Sequence, residues 1–173
     1  MKVNAICTRH PVTIDAKQPL SDAAKLMRKQ HVGTLVVTCL TPTGTEVYGI
    51  VTDRDLVIDA MSESGTNASL QVVDLAHTDL VIVEEHTELE DAISVMHEGG
   101  VRRLLVSDKD QRLCGLLSID DVIQALAQQL SRVAETIRAG RDREIGRRPV
   151  VTSVIPRPRL STVGAFAWPQ TRA

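Results

Sequence analysis

Aromatic side chains are almost absent from this sequence. Tyr48, Phe166 and Trp168 are the only three among 173 residues. Proteins that hold single-stranded nucleic acid stack successive bases on aromatic rings. Stacking on an aromatic platform is therefore excluded as the way in which this chain would hold a base.

Cysteine is also scarce, and long apolar runs are missing. Cys7, Cys39 and Cys114 are odd in number and show no CxxC spacing, a pattern that predicts reduced thiols in a reducing compartment. The first residues contain no apolar run typical of a signal peptide, and no stretch approaches the roughly 20 apolar residues of a membrane span. We therefore expect a cytoplasmic protein with no membrane association.

Catalytic signatures are missing as well. No G-x-S-x-G, Walker or Rossmann glycine pattern occurs. The histidines show neither an i, i+4 pair nor a cysteine at ligand spacing, so no zinc site is predicted. Asp53 and Asp55 could act as an acid pair, but two carboxylates at a helix start first favour the helix dipole. We therefore expect no enzymatic activity, no metal and no required cofactor. The histidines are His10, His31, His77, His86 and His97.

Charge is unevenly distributed along a chain whose net charge is −2. From residue 131 onward, nine arginines accompany three acidic residues, so the preceding part carries the negative excess. This pattern predicts an acidic body and a basic tail. A basic tail can contact nucleic acid, but no recognition motif accompanies it. Nucleic acid is therefore not the expected partner, unless salt-sensitive binding is found and is lost on truncation after Gln129.

The sequence repeats itself once. VTIDAKQPLSDAAKLM (residues 12–27) aligns with VIVEEHTELEDAISVM (residues 81–96), and HVGTLVV aligns with GVRRLLV. GIVTDRD (residues 49–55) aligns in the same way with GLLSIDD (residues 115–121). The first copy has a longer loop before its glycine motif, and such a difference in length is expected where the loop is a surface turn. Repetition of this kind indicates two copies of one structural unit.

Each copy predicts the same order of elements. A short apolar run predicts a strand, apolar residues at 3.6 spacing predict a helix, and two β-branched or leucine-rich runs around a turn predict a hairpin before a second helix. Copies this short cannot cover both faces of a sheet, so two units packed face to face about a pseudo-twofold axis are expected to share a core. The helical residues expected to contribute are Val57, Ile58, Met61, Val122, Ile123 and Leu126.

Both copies carry a hydroxyl residue and, three places later, an aspartate where a strand meets a helix. Thr52 with Asp55, and Ser118 with Asp121, fit an N-cap and a near-capping box. The pattern also allows a binding interpretation. A hydroxyl beside free helix N–H groups can hold phosphate, and a carboxylate can accept hydrogen bonds from a ribose diol. The residues alone leave both interpretations open.

The repeated unit resembles a CBS domain, and the pair resembles a CBS tandem, or Bateman module. GIVTDRD and GLLSIDD match the family signature G-h-h-[T/S]-x-x-D, and HVGTLVV and GVRRLLV match the strand before it. The resemblance covers about residues 1–129. It implies an α+β fold of two β-α-β-β-α units related by pseudo-twofold symmetry, over residues 1–65 and 66–129. A C-terminal helix and a basic tail would occupy residues 130–173.

The resemblance also implies a ligand and its contacts. CBS pairs bind adenosine-containing molecules such as AMP, ADP, ATP, NAD or S-adenosylmethionine in the cleft between their units. By that pattern, Asp55 and Asp121 would hold the ribose. Thr52 and Ser118 would contact phosphate.

Further contacts follow from the same resemblance. Main chain near Val12 and Val81 would contact the adenine edge, between aliphatic walls. Each helix start carries two acids that repel phosphate, so cations must offset them. Arg54 belongs to the first copy, whereas Arg102 and Arg103 belong to the second. The alternative role for Arg102 and Arg103 is that of ordinary solvated surface residues. We therefore expect the two sites to bind a phosphorylated ligand with unequal affinities.

A short heptad seam follows the second motif. Apolar residues step by three and four, which predicts either a homodimer contact or docking of the last helix on the body. The family's dimerisation through helices favours the homodimer. Gly140 and Gly146 disfavour helix much beyond the seam. The seam consists of Ile123, Leu126, Leu130, Val133 and Ile137.

Residues 147–173 are rich in proline, arginine and small residues. This composition predicts a disordered or loosely docked terminus. The alternative is a partner-binding arm that uses Phe166 and Trp168.

These observations predict a regulatory CBS pair that senses an adenosine-containing ligand. Ligand binding would shift the population of two arrangements and change the surface offered to a regulated partner, which the sequence does not identify. The alternative is an interaction or dimerisation module of the same fold that binds no nucleotide. In that alternative, the hydroxyl and aspartate pairs only cap helices.

Overall fold

The computed structural model describes residues 1–62 and 70–147. Met1–Leu130 forms one compact unit that contains both repeats. The strands are β1 (Thr8–Arg9), β2 (Thr13–Asp15), β3 (Thr34–Thr41), β4 (Gly44–Thr52), β5 (Ile82–Glu84), β6 (Arg103–Ser107) and β7 (Leu113–Ser118). The helices are α1 (Leu20–Gln30), α2 (Asp53–Ser62), α3 (Val72–Leu75), α4 (Leu89–Glu98) and α5 (Ile119–Arg147), and a 3-10 turn spans Val3–Ala5.

Each repeat folds as β-α-β-β-α, which confirms the predicted order. In the first repeat, β2 runs parallel to β3, and β3 and β4 form an antiparallel hairpin. The second repeat has the same arrangement, with β5 parallel to β6 and β6 antiparallel to β7. The hairpin in each repeat places the glycine motif at the end of the last strand, directly before the second helix.

The core consists of two hydrophobic clusters, one for each repeat. Leu35 on β3 and Leu104 on β6 are fully buried at equivalent places in the two clusters. The prediction of one shared core with contributions from the second helices is therefore wrong, except for Val122, which is 2% exposed. The side chain of Met61 is not among those that the structure describes. The helical residues that lie exposed instead are Val57, Ile58, Ile123 and Leu126.

Each cluster is completed by a short segment that leads into the other repeat. Val3 lies before the β-α-β-β-α elements of the first repeat but is buried in the cluster of the second. Val72 lies before the same elements of the second repeat but is buried in the cluster of the first. Equivalent backbone bonds hold them, because the Val3 N–H donates to the Thr87 carbonyl at 2.9 Å and the Val72 N–H donates to the Gln18 carbonyl at 2.9 Å. This reciprocal exchange follows the repeat alignment and gives the pair its pseudo-twofold axis.

The glycine of each motif allows the exchanged segment to lie directly against the last strand. β1 pairs with β7, and His77 forms the equivalent bridge to Ile50. A Cβ on Gly49 would lie 2.6 Å from the His77 carbonyl oxygen, and a Cβ on Gly115 would lie 2.9 Å from Cys7 Sγ. Since glycine has no Cβ, it permits both contacts. The sequence motif thus contains a residue required for packing between the repeats.

Helix α5 has a buried face and an exposed apolar face. Val122 and Ala125 pack inward, at 2% and 7% exposure. The predicted end of the helix is wrong, because α5 continues through Gly140 and Gly146 to Arg147. Neither glycine has a neighbouring side chain to displace, so the helix accommodates them without a packing conflict. The heptad residues on the outer face are 42–70% exposed: Ile123, Leu126, Leu130, Val133 and Ile137.

Part of the predicted organisation lies outside the described residues. Residues 148–173, with Phe166 and Trp168, belong to that part, so the prediction of a disordered tail or a partner-binding arm stays a prediction. Within residues 1–62 and 70–147, no helix is long and apolar enough to cross a membrane.

The exchange predicts that one valine outside the first repeat stabilises that repeat. Val72→Ala should lower the free energy of unfolding by about 2 kcal/mol, because it removes two buried methyl groups and leaves a cavity. Urea denaturation measures the change. Leu40→Ala is the control, since Leu40 is 81% exposed and its truncation should change the value by less than about 0.5 kcal/mol. Equal effects of the two substitutions would contradict the exchange.

Candidate functional site

The first strand-to-helix corner is closed by a hydrogen-bonded pair, Thr52 and Asp55. The Asp55 Oδ2 atom accepts from the Thr52 backbone N–H at 2.8 Å and from the Thr52 hydroxyl at 2.7 Å. The Asp55 N–H donates back to the Thr52 Oγ1 atom at 3.3 Å. Thr52 is therefore an N-cap of α2, and Asp55 completes the reciprocal bond of a capping box.

The second corner repeats this geometry with Ser118 and Asp121. The Asp121 Oδ2 atom accepts from the Ser118 N–H at 2.8 Å and from its hydroxyl at 2.6 Å. The Asp121 N–H donates to the Ser118 Oγ atom at 3.2 Å. The capping interpretation thus describes both corners, and each aspartate keeps its Oδ1 atom outside the capping box.

The start of α2 has few donors left for an anion. The Asp53 N–H donates to the Gly33 carbonyl at 3.1 Å, and the Arg54 N–H donates to the Asp53 Oδ1 atom at 2.8 Å. The Asp55 N–H is bonded to Thr52, as described above. The expectation of free helix N–H groups is therefore wrong at the first corner, because side chains and a carbonyl of the chain already accept from them.

The two corners differ in what contacts the remaining aspartate oxygen. Asp55 Oδ1 lies 3.1 Å from His77 Nε2, and the His77 side chain is 61% exposed while that of Asp55 is 14% exposed. Burial opposes ionisation of Asp55, but hydrogen bonds from Thr52 and His77 outweigh it and hold the pKa of Asp55 below its ordinary value. Thr8 occupies the position equivalent to His77 at the second corner, so no imidazole is available there.

A cavity of about 310 Å³ lies beside the first corner. Both repeats contribute to its walls, with Thr52 and Asp55 from the first and Val81 from the second. Aliphatic side chains form much of the surface, and three arginines and two aspartates bring charge to it. The remaining lining residues are Ile50, Arg54, His77, Asp79, Leu80, Gly100, Val101, Arg102, Arg103, Leu105 and Leu116.

Arg102 and Arg103 lie at the first cavity, although they belong to the second repeat. The sequence suggested that they offset the acids of the second corner, since they belong to the same copy. The Arg102 carbonyl does accept the Ile119 N–H at that corner, at 3.0 Å. Because the repeats face each other, the side chains of this segment nonetheless reach the corner of the other repeat.

Val81 and Val12 have equivalent backbone bonds but different surroundings. The Val81 carbonyl accepts the Leu105 N–H at 3.0 Å, and the Val12 carbonyl accepts the Val36 N–H at 2.9 Å. Val81 lines the first cavity. Val12 is not among the residues of that cavity, although both valines pack partly buried against the hydrophobic cluster of their own repeat.

A smaller cavity of about 200 Å³ lies beside Asp121. Its other residues are Ala5, Ile6, Gln124, Ala125 and Gln128, so no cation lines it and Ser118 does not reach it. The cationic side chains are thus concentrated at the first corner. The prediction of unequal affinities stays a prediction, and the lining places the arginines with Asp55 rather than with Asp121.

Sequence reasoning missed two ionisable residues of the first cavity, His77 and Asp79. They carry no recognisable motif, and they lie before β5, the first strand of the second repeat, while they line the cavity at the corner of the first. The signal that could have found them is the repeat alignment, which equates His77 with Thr8 in the segment before each repeat's first strand. Without knowledge of the exchange, that alignment does not say which corner the segment contacts.

The bonds to Asp55 predict an acid-dependent contribution to stability. Because the pKa of Asp55 is lowered on folding, its stabilising effect is present above the ordinary aspartate pKa of about 4 and is lost as the pH falls through the folded value. Thr52→Val should destabilise the protein by about 1 kcal/mol near neutral pH, and by less in acid.

Urea denaturation between neutral and acidic pH measures this difference. Thr45→Val is the control, because Thr45 lies exposed on the hairpin and its change should be small at every pH. A cost of Thr52→Val that does not depend on pH would contradict the role assigned to the carboxylate.

Comparisons with known proteins agree with this architecture. The family model described as "CBS domain" matches residues 3–61 and 72–128. An uncharacterized 17.7 kDa protein of Acidianus ambivalens is 30% identical over 141 residues, which cover 79% of this chain and 82% of that protein. An inosine-5'-monophosphate dehydrogenase of Chlorobaculum parvum is 29% identical over 116 residues, or 66% of this chain but 22% of the enzyme.

Solved structures give the same result. The crystal structure of CBSX2 in complex with AMP is 27% identical, has a TM-score of 0.58, and is covered over 96% of its length by 73% of this chain. Two matches to the family model, together covering more than half of the residues, determine the assignment. This chain belongs to the CBS domain family and contains a pair of CBS domains.

Proposed function

We propose that this CBS pair is a regulatory sensor of an adenosine-containing ligand, which binds in the cavity beside Thr52 and Asp55. The observation that carries the proposal is the combination in one cavity of a carboxylate, three arginines and aliphatic walls from both repeats. A cavity of about 310 Å³ is at the lower end of the range for small-molecule sites. The AMP complex of CBSX2 supports this ligand class.

The ribose is expected at the Oδ1 atom of Asp55, which lies outside the capping box. The Oδ2 atom is committed to Thr52, whereas Oδ1 contacts His77 at 3.1 Å. A ribose hydroxyl can share or replace this contact, because the exposed imidazole of His77 is able to turn toward solvent. Ligand binding at Asp55 therefore competes with His77 and leaves the capping box intact.

The phosphate is expected at the arginines rather than at the start of α2. The N–H groups of residues 53 to 55 are bonded within the chain, and the Thr52 hydroxyl already donates to Asp55. Thr52 would donate to phosphate only by giving up that bond. Arg54, Arg102 and Arg103 retain donors suited to phosphate oxygens, and they offset the repulsion from Asp79.

The adenine is expected between aliphatic side chains. Ile50 and Leu116 are equivalent residues of the two repeats, and both line the cavity with Val81. The carbonyl of Val81 accepts one bond from Leu105 and keeps a second lone pair. An adenine amino group could donate to it. Val12 would have the same role at the second corner.

The regulatory mechanism is a shift in population. A ligand that contacts Asp55 in one repeat and Arg102 in the other stabilises the arrangement in which both contacts exist. The surface offered to a regulated partner changes with that arrangement. We propose no catalytic role for the chain, since the similarity to the inosine-5'-monophosphate dehydrogenase covers 22% of that enzyme. The unpaired cysteines Cys7, Cys39 and Cys114 suit a reducing compartment such as the cytoplasm.

An alternative function is an interaction module of the same fold that binds no nucleotide. The capping boxes favour it, because both are complete within the chain. Thermal unfolding with AMP, ATP, NAD and S-adenosylmethionine separates the two functions. A rise in Tm with one or more of them supports the sensor, and no rise with any of them at millimolar concentration supports the interaction module.

The unequal corners predict unequal effects of matched substitutions. Asp55→Ala should weaken the binding of the best nucleotide at least tenfold, because the ribose loses a charge-assisted acceptor. Asp121→Ala is the control, since it removes the same capping bonds from a corner without arginines. Isothermal titration calorimetry measures both affinities. Equal losses in the two variants would contradict the assignment to the first corner.

We also propose that the outer face of α5 forms a homodimer. Its five apolar residues repeat at three and four positions and are 42–70% exposed, which is the pattern of a coiled-coil seam. Leu130→Glu should shift the protein to monomer, because it places a charge in the seam. Ser131→Glu, one position outside the seam, should leave the dimer intact. Analytical ultracentrifugation measures the molar mass, and a monomeric unmodified protein would contradict the proposal.

A further inference from the structure

A second and larger cavity lies at the hairpin end of the pair, across the pseudo-twofold axis. Its volume is about 620 Å³, and neither Thr52, Asp55 nor Asp121 lines it. Eight of its twelve lining residues form four pairs that the repeat alignment equates, so the cavity lies between the two hairpins rather than at either corner. The other four, Leu80, Ile82, Leu105 and Val106, belong to the second repeat. The equivalent pairs are Thr38 with Ser107, Thr45 with Gln111, Glu46 with Arg112, and Val47 with Leu113.

A β-bulge in each hairpin lies at the edge of this axial cavity. The register shifts between Val37 and Thr38 in the first repeat and between Val106 and Ser107 in the second. A bulge bends its strand and increases the local twist. The two hairpins therefore change direction at equivalent points, where the axial cavity begins.

The two repeats carry opposite charges at one pair of equivalent positions in this cavity. Glu46 on the first hairpin and Arg112 on the second occupy equivalent positions and line the same cavity with opposite charges. Within residues 1–62 and 70–147, no ion pair joins them to each other or to another charged side chain. The axial cavity thus presents one anionic and one cationic group that remain available to a ligand.

The carboxylate of Glu46 is fixed in position by the hairpin. Its Oε1 atom accepts from the Thr43 hydroxyl at 2.8 Å and from the Thr41 hydroxyl at 3.0 Å. These two hydrogen bonds, from Thr43 first and Thr41 second, lower the pKa of Glu46. The group is therefore ionised at neutral pH, and its orientation is set before a ligand arrives.

A largely buried serine also lines the axial cavity. Ser107 is 5% exposed and lines the cavity. The hydroxyl of its equivalent, Thr38, donates to the Ile14 carbonyl at 3.3 Å. A serine hydroxyl is both a donor and an acceptor, so the Ser107 side chain at the cavity wall can bond to a polar atom of a ligand.

The remaining wall is aliphatic and partly open to solvent. Ile82 is 57% exposed although it lines the cavity, and a ligand with an apolar body would cover it. Leu80 and Leu105 line both this cavity and the one beside Asp55. The axial cavity therefore combines two opposite charges and a serine hydroxyl with an apolar floor.

We infer that the axial cavity binds a small zwitterion with an aliphatic body, namely a free aliphatic amino acid. Its carboxylate contacts Arg112, its ammonium group contacts Glu46, and its side chain lies against Leu80, Ile82 and Leu113. The Ser107 hydroxyl donates to the ligand carboxylate. This inference does not depend on the nucleotide site, because the two cavities share no charged residue.

Isothermal titration calorimetry with defined compounds tests the inference. L-leucine, L-isoleucine, L-valine and L-methionine are titrated into the full chain, together with two analogues of leucine. The first analogue, 4-methylpentanoate, keeps the carboxylate and the aliphatic body but lacks the ammonium group. The second, 3-methylbutylamine, keeps the ammonium group but lacks the carboxylate. At least one of the amino acids should bind, and both analogues should bind roughly tenfold more weakly than leucine or not at all.

Single substitutions assign the binding to this cavity. Arg112→Gln and Glu46→Gln should each weaken binding of the best amino acid by roughly tenfold or more, because each removes a charge-assisted bond. Lys109→Gln is the matched control, since it removes a charge from the same hairpin turn outside the cavity and should have little effect. Asp55→Ala should leave amino acid binding unchanged, which separates this site from the nucleotide site.

Several outcomes overturn the inference. It fails if none of the four amino acids binds at millimolar concentration, or if 4-methylpentanoate binds as tightly as leucine. It also fails if Lys109→Gln weakens binding as much as Arg112→Gln, because the effect would then be one of general charge. A loss of nucleotide binding in Asp55→Ala, with amino acid binding retained, leaves the inference standing.

Discussion

The arrangement of this molecule depends on one contact that occurs twice: each repeat buries a valine in the hydrophobic core of the other. Val3 and Val72 each lie at the start of one repeat and complete the hydrophobic cluster of the other. The exchange fixes the two repeats about one axis and brings the segment before each repeat against the last strand of the other. Gly49 and Gly115 permit that approach, since a side chain at either position would meet the neighbouring chain. The cavity beside Asp55 and the axial cavity both follow from this arrangement.

The exchange also explains why two similar corners differ in chemistry. Thr52 with Asp55 and Ser118 with Asp121 form the same capping box, so the local sequence gives them the same backbone role. The surroundings come from the opposite repeat, where Arg102 and Arg103 face the first corner and His77 contacts Asp55. At the axial cavity, the equivalent positions 46 and 112 carry opposite charges. The two repeats share one backbone frame, and differences at a few side chains make the cavities chemically distinct.

The sequence predicts what is local and misses what depends on packing between the repeats. The β-α-β-β-α order, the starts of α2 and α5, and the capping pairs follow from periodicity and from residue types at short spacing. The position of Arg102 and Arg103, the role of His77 and the separate cores do not, because the exchange joins residues far apart in sequence. Helix α5 passes Gly140 and Gly146, where the intrinsic cost of about 1 kcal/mol per glycine does not end a 29-residue helix.

The central claim is that the first corner, with its arginines, is the nucleotide site. A crystal structure of the protein soaked with AMP at millimolar concentration tests it most directly. We predict the ribose within hydrogen-bond distance of Asp55 Oδ1, the phosphate against Arg102 or Arg103, and the Thr52–Asp55 capping box unchanged. AMP bound at Asp121 alone, or a first cavity that stays empty with the His77–Asp55 contact intact, would contradict the claim.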